Sequence, residues 1–597
     1  MGNHCATGSV SATRDGWRSG RPVGQFDRDR YKWIALSNTT LSTVIATIDG
    51  TIVLIALPAI FRGIHINPLQ PGNTVYLLGV VMGFLIVTSV LVVSLGRLGD
   101  IFGRVRIYNL GFVVFTVFSI PLCVDWLHGA DGAIFLIVFR ILQALGAAML
   151  IANSAAILTD AFPPDQRGLA LGINNIAGIV GSTIGLVVGG ILAPISWRLV
   201  FLVSVPIGLL GTVWSYRSLR EIGERRAARI DWWGNLAFAA GLVLLLVGIA
   251  TGIQPYGDHA MGWTNPRVIG ELAGGVALLL LFGVIELNRS EPMFELRLFR
   301  IRAFLAGNIA SLLGAIGRGG LQFMLVIWLQ GVWLPLHGYS LISTPLWAGV
   351  AMLPLIGGFL IAGPVSGILS DRFGPRRFAV VGPLIAAGSL AWLSTLPVDF
   401  SYPGFAVLLA VFGIGTGMFA APNRANVMNS LPPWRRGVGS GMSATFQNSG
   451  QVLSIGIYFS LMVVGLSAKL PQALQSGLIA KGVPLSTAHA VAHLSPVGTL
   501  FAALLGANAV TAHMTALQLH GLSHATYVAI SNRKFFPRLI SPAFAGALTD
   551  ALRFSVIAFV VAAGASWLRG SSQPWQEPSS VTAQGASITA PGALISR

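Results

Sequence analysis

Residues 96–106, GRLGDIFGRVR, decide the fold of this chain. They lie between two long apolar runs, and a similar stretch occurs later in the sequence. The second copy is residues 367–377, GILSDRFGPRR, which also follows an apolar run. The same residue occurs at six matching positions of the two copies, pairing Gly96 with Gly367, Leu98 with Leu369, Asp100 with Asp371, Phe102 with Phe373, Gly103 with Gly374 and Arg106 with Arg377. We interpret the chain as two related halves. The alternative is a chance likeness between two short basic turns.

The composition indicates the environment of both halves. Hydrophobic residues make up 54% of the 597 residues, and charged residues only 10%. Such a chain cannot cover a water-facing surface with polar groups, whereas repeated runs of about eighteen or more apolar residues are typical of transmembrane helices. The sequence therefore predicts an all-α polytopic membrane protein. Internal repeats of this size are typical of transporters whose substrate site lies between the halves.

Fourteen spans are predicted, at 33–60, 75–95, 107–127, 131–152, 169–193, 198–219, 233–253, 267–287, 303–333, 346–366, 378–397, 404–424, 438–466 and 551–568. They divide the chain into a cytoplasmic disordered tail (1–32), a six-helix bundle (33–219), two inserted helices with linkers (220–302), a second six-helix bundle (303–568) and a cytoplasmic disordered tail (569–597). The second bundle includes a long external loop, 467–550. Within it, residues 494–510 are marginal for crossing about 30 Å of hydrocarbon, so we predict a non-spanning segment.

The net charge of +17 sets the orientation of these spans. Arginines cluster in loops that follow even-numbered spans, at 97–106, 217–229, 289–302, 372–377 and 424–436. The positive-inside rule places these loops and both termini in the cytoplasm. Because aromatic residues do not alternate with the basic ones, we expect no nucleic-acid partner.

Two ionisable residues lie deep inside predicted spans, where each costs roughly 2.5–3.5 kcal/mol and is a functional hypothesis by default. Asp49 in the first span and Arg140 in the fourth both lie roughly 12–14 Å beneath the outer boundary, at about 1.5 Å per residue. This shared depth permits a contact. Asp49 would then bind and release a proton, with an affinity set by burial and by Arg140. The alternative is a permanent ion pair that only fixes helix packing.

Arg318 lies at mid-span without an acidic residue at matching depth. It would either line a water-filled cavity and attract an anionic or carbonyl-rich substrate, or cap backbone carbonyls freed by the flanking glycines. Polar residues of the same and neighbouring spans are candidates for the same substrate path, namely Gln322, Gln330, Asn423 and Asn448.

The fifth span carries a face of small residues. Gly181, Gly185 and Gly189 repeat every four residues, with Gly190 beside them. Such a face lets a neighbouring helix approach closely or lets the helix bend. Close packing and a moving hinge both remain open interpretations of this pattern.

Several motifs together resemble one family. They are IDGTIVLIALP at 48–58, the loop motif at 96–106, RILQALGAA at 140–148, SWRLVFLVSVPIG at 196–208 and EPMFELRLFRIRAF at 291–304. On these residues the sequence resembles the fourteen-span drug:proton antiporter branch of the major facilitator superfamily, from Trp33 to the last span. Two positions depart from the family pattern. Leu186 follows Gly185 where proline is usual, and Ala144 stands where glycine is usual.

The resemblance implies alternating access by two six-helix bundles, with the seventh and eighth spans inserted between them. It implies that Asp49 carries a proton under the influence of Arg140, and that the fifth-span glycines form the antiporter-type face. It also implies a cytoplasmic latch that breaks as the bundles rock, formed by Gly96, Asp100, Gly103, Arg104, Arg106, Asp371 and Arg377. The alternative role for this loop is orientation through positive charge alone, which would need no carboxylate.

We therefore expect a transporter and not an enzyme, with the proton as coupling ion and no other cofactor or metal. The expected function is proton-driven multidrug-type export of small amphipathic substrates by a monomer in the lipid bilayer of a bacterial cytoplasmic membrane. Bacterial origin is inferred from the excess of Arg over Lys and from the abundant Ala and Gly. One rival is a dedicated exporter of a lipid, siderophore or secondary metabolite, which an anion-attracting Arg318 would suit. The other is a receptor or scaffold that transports nothing.

Overall fold

The computed structural model describes residues 25–569 except 67–72, 164–165, 223–230, 258, 260, 290–293, 433–434 and 515–521. Long helices dominate the described part. In chain order they are α1 Gln25–Gly63, α2 Thr74–Phe102, α3 Arg104–Cys123, α4 Gly129–Ala161, α5 Arg167–Leu192, α6 Trp197–Ser218, α7 Trp232–Gly252, α8 Pro266–Asn288, α9 Arg302–Leu336, α10 Thr344–Ser370, α11 Pro375–Leu393, α12 Tyr402–Asn429, α13 Arg436–Ile479 and α14 Phe535–Trp567.

Each of the fourteen predicted spans falls on one of these helices. Thirteen of them, all except α11, are long and apolar enough to cross a membrane. The helix α11 has 19 residues and is therefore about 28 Å long, close to the thickness of the hydrocarbon core. The predicted fold class, an all-α polytopic membrane protein, is confirmed.

The helices pack as two groups of six with a pair between them. In the first group α1 lies along α5, and α4 packs against α1, α2 and α3. In the second group α9 packs against α13 and α14, and α12 packs against α10 and α11. The inserted helices α7 and α8 pack on each other, and Ser94 Oγ of α2 donates to Asn235 Oδ1 of α7 at 2.8 Å.

The two bundles meet along α2 with α13 and along α5 with α10. At the outer end of α5, a side-chain carbon added at Gly190 would lie 2.6 Å from Leu346 Cα of α10. Glycine therefore lets the two backbones touch without an intervening side chain. Nearer the cytoplasm, Arg424 Nη1 of α12 donates to Asn175 Oδ1 of α5 at 3.3 Å.

The external loop is shorter than the predicted 467–550, because both flanking helices extend into it. Helix α13 continues to Ile479, and α14 begins at Phe535. The connection contains the short helices Leu485–Ala492, Pro496–Leu505, Ala509–His513 and His524–Ser531. Pro496–Leu505 covers most of the 494–510 segment, and its 10 residues extend only about 15 Å, too little to cross the bilayer alone.

The ends of the described chain differ from the predicted tails. Residues 1–24 and 570–597 lie outside the described residues, whereas 25–32 already belong to α1. Arg569, which the prediction assigned to the C-terminal tail, is buried, and its Nη2 donates to Asn423 Oδ1 of α12. The chain just after α14 is thus fastened inside the second bundle.

Candidate functional site

Asp49 and Arg140 form a buried ion pair inside the first bundle. Arg140 Nη1 of α4 donates to Asp49 Oδ2 of α1, and Arg140 Nη2 donates to the Asp49 backbone carbonyl at 3.3 Å. The other carboxylate oxygen, Oδ1, accepts from Gln143 Nε2 at 3.0 Å and from Ser204 Oγ of α6 at 3.2 Å. Side chains from α4 and α6 therefore hold one carboxylate of α1.

Sequence reasoning missed three members of this network, Gln143, Ser204 and Ser119. Gln143 Nε2 donates to Ser119 Oγ of α3 at 2.8 Å, and Gln143 Oε1 accepts from Arg140 Nη1 at 3.1 Å. A signal for Gln143 was present, because a residue three positions after Arg140 lies on the same helix face. Ser119 and Ser204 gave no such signal, since they come from other spans.

The network is closed to solvent in this conformation. Asp49 is 0% exposed and Arg140 is 1% exposed. The Arg140 guanidinium also lies 4.3 Å from the ring centroid of Phe84, within the range of a cation–π contact. A proton can therefore reach Asp49 only in a conformation in which α1 and its neighbours have moved apart.

The first copy of the loop motif forms a cluster of ion pairs at the C-terminal ends of α2 and α4 and the N-terminal end of α3. Arg104 pairs with Asp100 at 2.8 Å and with Asp160 of α4 at 2.6 Å. Glu221, which follows α6, accepts hydrogen bonds from the backbone N–H groups of Arg104 and Val105 at 3.0 and 3.2 Å. The dipole of α3 favours a carboxylate at this helix N-terminus. Asp160 and Glu221 were not predicted, because they are distant in sequence.

The remaining predicted residues of this copy have other positions. Gly103 has a φ of +111°, which glycine adopts without strain, and it makes the turn between α2 and α3. Gly96 packs near Ala152, whose Cβ would lie 3.7 Å from an added carbon. Arg106 is exposed, and no ion pair joins it to a described residue.

The second copy repeats the turn, and no ion pair between described side chains involves it. Gly374 has a φ of +84°, like its counterpart Gly103. Arg104 is replaced by Pro375, which cannot form an ion pair. The side chain of Asp371 lies outside the described residues.

Arg377 was predicted to belong to the latch, and that role stays a prediction. Arg377 is exposed and forms no ion pair with a described residue. Instead, Arg376 Nη2 donates to the backbone carbonyl of Trp567 at 2.8 Å, and its guanidinium lies 4.7 Å from the Trp567 ring centroid. This copy is therefore held to α14 through backbone and aromatic contacts of Arg376.

The glycine face of α5 is a close-packing surface against α1. An added side-chain carbon would lie 2.8 Å from Val44 O at Gly181, 2.7 Å from Ile48 O at Gly185 and 2.9 Å from Ile52 O at Gly189. These carbonyls belong to the stretch of α1 that carries Asp49. Gly190 points elsewhere, to the α10 contact described above. The packing interpretation of this face therefore has direct structural support.

The polar residues predicted to line a path have different surroundings. Asn423 bridges helices, because its Nδ2 donates to Gly307 O at 3.1 Å and to Ser311 Oγ at 2.8 Å. Gln330 is buried in a π-helical turn, Leu329–Trp333, and neither of its amide atoms has a described partner. Gln322 and Asn448 are half-buried. Of these four residues, only Gln322 and Asn448 have the partial exposure that a residue lining a substrate path requires.

These features define a class of protein: a helical membrane protein of two related bundles, with a buried ion pair in one and glycine contacts between them. A family model described as "Major Facilitator Superfamily" matches residues 39–455. The chain belongs to this superfamily, and it is a membrane transporter and not an enzyme.

Relatives of known name are similar over most of the chain. The riboflavin transporter RibZ of Clostridioides difficile is 28% identical, over 73% of this chain and 90% of the relative. The tetracenomycin C resistance and export protein of Streptomyces glaucescens is 28% identical, over 84% and 89%. Multidrug resistance protein 3 of Bacillus subtilis is 26% identical, over 72% and 80%.

A solved structure shares the fold. It is the inward-facing, unoccupied crystal structure of a bacterial homolog of the human lysosomal transporter Spinster. The TM-score is 0.52 at 18% identity, over 90% of this chain and 97% of that one.

Proposed function

We propose that the chain is a proton-coupled exporter of small amphipathic compounds that works by alternating access. The observation that carries this proposal is the Asp49 carboxylate, which is buried at mid-membrane depth and held by Arg140, Gln143 and Ser204. A conformational change that moves these donors away would change the surroundings of the Asp49 side chain, so binding of a coupling proton there and the shape of the bundle would be linked.

The packing of α5 supports a mechanical link between Asp49 and the second bundle. On one face α5 touches the backbone of α1 through Gly181 and Gly185, within one turn of Asp49. At its outer end α5 touches α10 through Gly190. Because neither contact contains a compressible side chain, a displacement of α10 would be transmitted to α1. The Arg104 cluster would hold the cytoplasmic end of the same bundle together during this movement.

Orientation, location and assembly are part of the proposal. The arginine-rich loops favour cytoplasmic termini, and all three relatives named above are bacterial, which supports a bacterial cytoplasmic membrane. We propose a monomer, because each bundle surrounds its own polar groups within one chain. The small-molecule substrate would bind between the bundles.

The decisive experiment measures efflux from cells of a fluorescent amphiphile, with and without a pH gradient. We expect wild type to lose efflux when the gradient collapses, and Asp49→Asn to lose it with the gradient intact. Asp131→Asn is the matched control, because Asp131 is an exposed carboxylate at the start of α4. Unchanged efflux in Asp49→Asn would overturn proton coupling through this residue.

A second candidate is a dedicated exporter of one endogenous compound. Two relatives are named for single compounds, riboflavin and tetracenomycin C, and one for many drugs. Arg318, half-buried at mid-span, favours a narrower range of cargo than an apolar cavity would. A panel of chemically unrelated dyes separates the two, since a dedicated exporter would move few of them.

A further inference from the structure

We infer that the cargo carries an anionic group, which two arginines of the second bundle, Arg424 near the C-terminal end of α12 and Arg318 at mid-span in α9, bind in turn on its way out. This inference rests on the proposed function, because it names the class of compound that the same path would take. It is argued from the surroundings of the two guanidinium groups.

Arg318 faces the gap between α12 and α13. On one side of it on α9, Gly314 packs against Phe419 of α12, where an added carbon would lie 3.2 Å from the Phe419 ring. On the other side, Gly319 packs against Gln451 of α13, at 3.0 Å from its Cγ. Arg318 lies between these two contacts, and Gln322 one turn later shares its face. Residue 318 therefore lies on the part of the α9 surface between its contacts with α12 and with α13.

The structure assigns to other side chains the capping role considered for Arg318. The carbonyl of Ile316 accepts from Ser454 Oγ, which itself accepts from the Gly320 N–H at 2.7 Å. The carbonyl of Gly317 accepts from Ser555 Oγ at 2.9 Å. The backbone carbonyls of Ile316 and Gly317 are thus already bonded, and within the part of the chain that the structure describes no hydrogen bond or ion pair holds the Arg318 guanidinium.

Arg424 lies on the path from the cytoplasm to Arg318. It is half-buried on α12 and reaches Asn175 of the first bundle at 3.3 Å, so it borders the space between the bundles. Because Phe419 is level with Gly314, Arg424 is level with about residue 309 of α9, roughly 13 Å below Arg318. The two arginines therefore offer successive binding positions along the direction of the helices.

Neither charge is neutralised within the protein. No ion pair joins Arg318 or Arg424 to a carboxylate anywhere in the described residues, whereas Arg140 in the first bundle is paired with Asp49. Intramembrane charges are expensive unless they face water or meet an opposite charge. An arginine fork binds carboxylate, sulfonate or phosphate oxygens through two parallel hydrogen bonds. An amphipathic organic anion would supply the missing charge and fit an otherwise apolar path.

The test uses two xanthene dyes of similar shape and opposite charge, fluorescein and rhodamine 123, with the purified full chain. Binding is measured by fluorescence polarisation, and transport is measured in everted vesicles with a proton gradient. We expect fluorescein to bind more tightly than rhodamine 123. Arg318→Gln should weaken fluorescein binding at least about tenfold, because charged hydrogen bonds are lost, and Arg424→Gln should do so to a smaller extent.

Two further variants control for misfolding and for general charge effects. Arg318→Lys keeps the charge and should retain most of the binding that Arg318→Gln loses. Arg267→Gln removes a 76% exposed arginine at the start of α8 and should change neither dye. Rhodamine 123 binding should be unaffected or strengthened in Arg318→Gln.

The outcomes separate this inference from the proposed function. Failure of wild type to bind fluorescein, or equal binding by Arg318→Gln, overturns the anionic cargo. If rhodamine 123 is then still transported with the proton gradient, proton-coupled export stands and only the cargo class is wrong. If fluorescein binds through Arg318 but no proton-driven transport of either dye follows, the anion site stands and the proposed coupling fails.

Discussion

The two bundles of this transporter differ in the surroundings of their arginine side chains. In the first, Arg140 is paired with Asp49 and surrounded by further hydrogen bonds. In the second, Arg318 and Arg424 have no carboxylate partner among the described residues. A carboxylate that is paired with an arginine inside the protein can bind and release a proton. An arginine without a carboxylate partner can instead bind an anionic ligand. Under the proposed function, energy coupling would lie in the first bundle and cargo binding in the second.

The largest expected difference in stability is between the variants that remove Arg140 and Arg318. Arg140→Leu leaves the Asp49 carboxylate buried and unpaired, which should cost about 3–5 kcal/mol. Arg318→Leu leaves no carboxylate unpaired and removes an insertion cost of roughly 2.5–3.5 kcal/mol, so stability should be unchanged or higher. Thermal unfolding in detergent measures both. The double variant Asp49→Asn with Arg140→Leu should recover part of the loss, and equal destabilisation by the two single variants would contradict the contrast.

The next effect concerns the contact between α5 and α1 beside Asp49. Gly185→Ala places a carbon 2.7 Å from Ile48 O, and such overpacking should cost about 1–3 kcal/mol. Gly172→Ala on the same helix meets nothing within 4 Å and should be neutral or stabilising, since alanine favours helix by about 0.5–1 kcal/mol. The melting temperatures of the two variants give the comparison. A neutral Gly185→Ala would show that α5 does not press on α1.

A smaller effect separates the two loop copies. Gly103→Ala and Gly374→Ala both force a side chain into a positive-φ conformation, at a strain of about 1–3 kcal/mol each. Only at Gly103 does the new carbon also displace Glu221, at 2.6 Å, from the N-terminus of α3. Gly103→Ala should therefore be worse by about 0.3–1 kcal/mol, the value of that helix-end interaction. Identical melting temperatures would remove the distinction between the copies.

The smallest effect on stability is expected for the ion pairs themselves. Arg104 and Asp160 are 22% and 24% exposed, so Asp160→Asn should cost about 1 kcal/mol or less. Arg376→Gln in the second copy should cost a similar amount. Transport rates should nevertheless differ, because only the first copy joins α2, α3 and α4 through charges. If both variants transport at the wild-type rate, the cluster serves orientation and not movement.

Much of the fold followed from the sequence, because apolar runs about as long as a bilayer is thick have few other structures open to them. The contact between Asp49 and Arg140 could also be predicted, because both residues lie at the same predicted depth in the membrane. Partners on other spans, such as Ser204 and Asp160, could not be predicted, because nothing in one sequence fixes which helix faces meet. The contact of Arg376 with Trp567 could not be predicted either, because the two residues are distant in sequence.

The boundary errors have a different cause. A hydropathy analysis ends each span where the apolar run ends, but both helices continue through polar and mixed stretches. Helix α13 extends to Ile479, and α14 begins already at Phe535. These extensions are held by packing against each other, as at Gly477 and Leu539, which a hydropathy analysis does not include.

The most direct measurement is proton release on substrate binding by the purified transporter in weakly buffered detergent solution. If Asp49 carries the coupling proton, adding a transported compound should release protons from wild type. Asp49→Asn should bind the same compound and release none, while Asp131→Asn should behave as wild type. Undiminished proton release from Asp49→Asn would show that another group carries the proton.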